Sequence, residues 1–139
     1  MAKKKARKLT PIIRLAIMCE DAESNSQFGR GVANLCLGVR ELGSLNAAAK
    51  SMKMAYSKAW RIIKETEAAL GIQLLDRDGA HGSTLTEDGN KLLDTYVEID
   101  AKLQKVAEEE FAKFRVRQDR LYQSGFDLFL KEAELSYNA

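Results

Sequence analysis

The sequence predicts a mainly α fold with a small β component: three short helices, a β-hairpin and a long helix behind it. Three observations carry that expectation. Apolar residues recur at helical spacing between Val32 and Leu70, in segments that each close on a glycine or a turn. Two short β-prone runs then flank the Gly-rich stretch DRDGAHGS. Beyond them Leu92, Tyr96, Ile99, Leu103 and Val106 step by 4, 3, 4 and 3 residues, the spacing of a heptad seam.

In chain order, residues 1-10 read as a disordered basic arm, opening on MAKKKARK. Ile12 to Cys19 is apolar and β-branched, and it follows Pro11, so it predicts a strand with proline at its tolerated first position. Asp21 to Gln27 is polar and turn-like. Phe28-Gly-Arg-Gly31 leads into a helix over about Val32–Leu42, in which Val32, Leu35, Val39 and Leu42 share a face. Gly43 fits a helix stop, and Ser44 or Asn46 fits the next cap. A second helix spans about Leu45–Ser51, Met52-Lys53-Met54 makes a turn, and a third helix runs over about Tyr56–Leu70 to Gly71.

Two helices around so short a turn form a helix-turn-helix. Ala47, Ala48 and Ala49 lack bulk, which lets the second and third helices cross closely. Ala59, Ile63, Thr66 and Leu70 line the core face of the third helix, leaving Tyr56, Ser57, Trp60, Arg61 and Lys64 outward. Ile72–Leu75 and Thr84–Thr86 are the expected strands of the hairpin, which would be the wing of a winged helix-turn-helix over residues 11-86. Thr86 caps a long helix over 87-114, with Glu87 and Asp88 in its first turn, where acids favour the helix dipole. Residues 115-139 carry Leu121, Tyr122, Phe126, Phe129 and Leu130 around Gly125 and predict a separate amphipathic helical segment.

Charge is distributed unevenly. The chain has 139 residues and a net charge of +2, but residues 1–64 hold 13 Lys and Arg against 4 Asp and Glu, a net of +9, leaving −7 for the remainder. Within the first half, Ser44 to Lys64 contains Lys50, Lys53, Lys58, Arg61 and Lys64 and no acid. An acid-free basic helix in a mixed-charge chain points to a polyanion, and the reading helix of such motifs addresses base edges with its N-terminal residues. Arg61 suits a bidentate contact to guanine, while Lys58 and Lys64 suit phosphate. Trp60 either stacks at a DNA surface or packs against the wing. Arg77 and His81 are placed to reach the backbone or minor groove from the wing, against which Asp76 and Asp78 count.

The stretch SLNAAAKSMKMAYSKAWRIIKETEAALGIQLLDRDGAHGSTLTEDGNKLL resembles the winged helix-turn-helix of LysR-type regulators. The shared pattern is an alanine-rich second helix, a reading helix, then LG-x-x-L and LT-x-x-G. It resembles still more the N-terminal domain of ModE-type molybdate-responsive regulators, through Ala59-Trp60, the Gly-rich wing and the FGRG lead-in. The resemblance covers roughly residues 10–115. It implies a homodimer held by the long helix and acting on a two-fold site in double-stranded DNA; the seam Leu92, Tyr96, Ile99, Leu103 and Val106 would pack on the same helix of a second chain, the alternative being a seam covered within the chain by the first strand or the C-terminal segment. It also implies that Asn46, Tyr56, Ser57, Lys58, Arg61 and Lys64 lie near DNA. No molybdate domain is apparent, residues 115–139 being too few for one, and no cofactor is expected.

Other classes find less support. Cys19 and Cys36 show no metal-ligand spacing and are expected to be buried and reduced, a disulfide between them being the alternative. One histidine, no clustered ligands and a GRG too short for a phosphate-binding loop make an enzyme the weakest reading. No apolar run approaches the roughly 20 residues of a membrane span, so the chain is expected to be cytoplasmic. A protein-interaction module on the same scaffold is the alternative to a DNA-binding regulator, and the acid-free run discriminates against it.

Overall fold

The computed structural model describes the backbone over residues 7–21, 25–77 and 82–137, and side chains as far as residue 114. It contains α1 (Arg30–Leu42), α2 (Leu45–Ser51), α3 (Tyr56–Leu70), β1 (Leu75–Arg77), β2 (Ser83–Leu85) and α4 (Glu87–Tyr137). The chain divides into two compact units. One is Arg14–Ala101; the other joins the segment ending at Ile13 to the helix from Lys102 onward.

In the unit Arg14–Ala101, Phe28, Leu35, Leu45, Ile63, Leu74 and Leu93 are fully buried around α1, α2 and α3. Local signals fix the helix ends. Gly43 and Gly71 take left-handed φ values of 85° and 66°, conformations that only glycine adopts freely. Ser44 caps α2, its Oγ accepting from Ala47 N at 3.1 Å. Ala48 of α2 also serves the crossing with α1: it faces Gly38, where an added Cβ would lie 2.6 Å from the Ala48 methyl.

The segment after Pro11 is not a sheet strand. It alternates between half-buried and exposed positions as a strand would, but among the described residues it forms one bridge, Ile17 to Phe28. Side chains of α4 take its backbone groups instead. Tyr96 donates to Leu15 O at 3.1 Å and packs edge-on against Phe28. In the other unit, the Gln104 amide accepts from Ile13 N at 3.3 Å and donates to Pro11 O at 2.9 Å. A period-two apolar pattern shows that one side is covered; here the cover is a helix. Cys19 also departs from expectation, being exposed, while Cys36 is buried; both are free thiols.

The hairpin pairs Leu75 with Leu85, Asp76 with Thr84 and Arg77 with Ser83, later in β1 and earlier in β2 than the apolar run suggests. Glu67 explains the shift. Its Oε2 accepts from Leu74 N at 2.6 Å and Leu75 N at 3.3 Å, removing those donors from any earlier ladder. Thr86 then starts α4 by accepting from Gly89 N at 2.9 Å while its hydroxyl donates to Gln73 O. The helix runs on to Tyr137 without the expected break near residue 115. The chain's one proline is Pro11, so nothing downstream interrupts the helix beyond the roughly 1 kcal/mol cost of a glycine such as Gly125.

Candidate nucleic-acid interface

The turn between α2 and α3 is closed by Met52 N to Ala48 O, Lys53 N to Lys50 O and Met54 N to Ala49 O. It bends on Lys53, which has a left-handed φ of 55° and an exposed side chain. α3 therefore leaves at a fixed angle with its first turn in solvent. That turn holds no acid, and the cap residue Ala55 has no side-chain acceptor. The positive end of the helix dipole is unneutralised where Tyr56, Ser57 and Lys58 stand exposed. Arg61 and Lys64 continue the same face one and two turns on, also exposed, while Ala59, Ile63 and Thr66 are buried behind it. Asn46 is exposed on α2.

Trp60 lies at the edge of this face. It is half-buried and packs on the core. The Arg77 guanidinium sits 4.5 Å from its ring centre, Lys64 Nζ 5.5 Å, and the Tyr56 ring meets it edge-on at 6.2 Å. Between the two readings of Trp60, the geometry favours packing against the wing. The neighbourhood lowers the Tyr56 phenol pKa from its ordinary value, first through the Trp60 indole, with Arg77 adding to it. The Trp60 Nε1 itself is buried. His81 lies outside the described residues.

The face is held by residues the sequence did not single out. Glu67 bonds β1 as above and also meets Lys64 Nζ at 3.3 Å, so one carboxylate ties the wing to the reading helix. Arg40 clamps α1 to α4 through Asp94 Oδ1 at 2.8 Å and Asn90 Oδ1 at 2.8 Å. Both are charged residues with no periodicity to distinguish them from solvated ones. Gly89 is packed so tightly that a Cβ there would overlap the Leu74 carbonyl oxygen, which accounts for the glycine of LT-x-x-G.

Along α4 the seam residues separate. Tyr96 is buried in the domain's core and Leu92 packs partly against it, together with the fully buried Leu93. Ile99, Leu103 and Val106 are exposed, at 38%, 41% and 55%. Among the described residues no three His, Cys, Asp or Glu side chains gather as a metal site, and no helix is long and apolar enough to cross a membrane.

Residues 34–90, from α1 through the start of α4, match the family model described as "Bacterial regulatory helix-turn-helix protein, lysR family". The domain is a winged helix-turn-helix, similar over these residues to those of LysR-family regulators. VV2_1132, a LysR family transcriptional regulator of known structure, is 30% identical with a TM-score of 0.53. That match covers 80% of this chain but 41% of the regulator, so the chain spans less than half of that relative's length. A CbnR_DBD-DNA complex is 26% identical over 63% of this chain and 95% of its own, with a TM-score of 0.47. No curated protein matches the chain. In this winged helix-turn-helix α3 occupies the place of the reading helix and the hairpin that of the wing.

Proposed function

We propose that the protein is a DNA-binding transcription regulator that acts as a homodimer on a two-fold site, with α3 entering the major groove. The carrying observation is the outer face of the helix-turn-helix: Lys50, Lys53, Lys58, Arg61 and Lys64 are all exposed, and the stretch contains no acid. Tyr56, Ser57 and Arg61 read bases, Lys58 and Lys64 neutralise phosphate, and Asn46 and Lys53 flank them from α2 and the turn. Arg77 approaches from the wing, as would His81. The exposed Ile99, Leu103 and Val106 are the part of the seam left for a second copy. Half-sites would then lie about 10 bp apart or a multiple of that.

The test is selection of bound duplexes from a random pool at two salt concentrations. An enriched two-fold motif with steep salt dependence is expected. Salt-dependent binding without a motif would leave an architectural DNA binder, and no retention at low salt would end the DNA reading in favour of a protein-interaction module. On the enriched duplex, Arg61→Ala should cost roughly 1–3 kcal/mol and relax preference at one base position. An equal loss on every sequence would instead make Arg61 a phosphate contact.

A further inference from the structure

Arg77 is the last paired residue of β1, opposite Ser83. It and Lys64, from separate elements, bring two positive charges to one indole at 4.5 and 5.5 Å from the ring centre. Such cations repel each other; the ring quadrupole draws in both, and the Glu67 carboxylate, 3.3 Å from Lys64 Nζ, offsets part of the repulsion. A guanidinium lying on a ring uses its flat face for that contact and keeps the N–H donors in its plane for an acceptor. Of the two acids that flank Arg77 in sequence, Asp76 points to the other side of the hairpin and accepts from Gln73 Nε2 at 3.2 Å, and Asp78 lies outside the described residues. Trp60 is poorly suited to read a base itself, because its one polar atom is buried and its body packs on the core.

We propose that Trp60 is a positioning residue for DNA binding: its indole face holds the Arg77 guanidinium beside Lys64, so that wing and reading helix present one paired cationic site to backbone phosphate. The proposal rests on the DNA reading above and deepens it. The stack pins the wing where its paired strands end, and the guanidinium meets phosphate already oriented rather than being ordered on binding.

The protein suits a direct test because Trp60 is its only tryptophan. Affinity for random-sequence duplex and for the duplex enriched from it is measured across salt for wild type, Arg77→Ala, Trp60→Phe, Trp60→Leu and the Trp60→Leu/Arg77→Ala pair. Arg77→Ala should weaken binding to every sequence about 3- to 10-fold, lower the salt slope by about 1, and change Trp60 emission in the free protein. Trp60→Leu should cost a similar factor alone but less than about 2-fold more once Arg77 is alanine, and Trp60→Phe should retain most of the affinity. Multiplying losses, a changed base preference in Trp60→Leu, or unchanged emission in Arg77→Ala would each overturn the proposal while DNA binding by the wild type stands. Failure of the wild type to retain duplex at low salt would remove the DNA reading and this proposal with it.

Discussion

Gly38→Ala should destabilise the domain even though alanine is the better helix former. The added Cβ would stand 2.6 Å from the Ala48 methyl and 3.1 Å from Ala48 Cα. Carbon atoms pack at about 3.5–4.0 Å, so α1 and α2 would have to part by roughly 1 Å. Overpacking of that kind costs about 1–3 kcal/mol, against a helix-propensity gain of about 0.8–1.0 kcal/mol. The net expectation is a loss of about 1 kcal/mol, rising towards 2 if the helices resist. The assay is urea unfolding of Gly38→Ala, Ala48→Gly and the double variant. Ala48→Gly alone should cost roughly 2 kcal/mol, from propensity and one lost buried methyl. The double variant moves the methyl across the crossing without crowding it, so its loss should fall short of the sum by about 1–3 kcal/mol. A stabilised Gly38→Ala, or a double variant additive within about 0.5 kcal/mol, would show that the crossing relaxes freely and that the close approach has no energetic role.

Thr86→Ala removes both the α4 cap and the hydroxyl bond to Gln73 O; a loss of about 1–2 kcal/mol in urea unfolding is expected, with Thr86→Ser close to wild type. Burial, reinforced by the charge of Glu67, pushes the Cys36 thiol up to about 12, Arg40 opposing. The unfolded thiol ionises first, so Cys36 contributes stability that is full below about pH 9 and falls by about 1.4 kcal/mol per pH unit until the folded thiol also ionises. Alkaline unfolding of wild type should therefore be steeper than that of Cys36→Ala, and equal slopes would contradict the burial argument. At neutral pH a thiol reagent should modify the exposed Cys19 quickly and Cys36 only after denaturation. Leu103→Lys, at an exposed seam position, should lower the association state measured by sedimentation and leave the monomer's unfolding midpoint unchanged; an unaltered association state would move the dimer contact elsewhere.

The parts legible in the sequence are those governed by neighbours along the chain. α1 ends, α2 begins and α3 ends where expected because Gly43, Ser44 and Gly71 act on their own turns, through two left-handed backbones and a capping hydroxyl. The inward face of α3 follows from its period alone. What the sequence concealed depends on a distant partner. Nothing local says that Glu67 takes the backbone donors of Leu74 and Leu75 and so delays the hairpin ladder. Nor does it say that Gly38 of α1 receives the Ala48 methyl of α2.

The seam of α4 marks the boundary between the two cases. A 4-3 spacing requires that one stripe be covered but is silent on the cover. The structure divides the stripe by position: near the domain, Leu92 and Tyr96 find Phe28, Leu15 and the core, while Ile99, Leu103 and Val106 are exposed. A dimer contact carried by this helix must therefore begin about where the domain's own packing ends. Substitutions at Tyr96 and at Leu103 should then separate stability from assembly. Tyr96→Ala loses the edge-on contact with Phe28 and the bond to Leu15 O, and so lowers monomer stability, whereas Leu103→Lys acts on association alone.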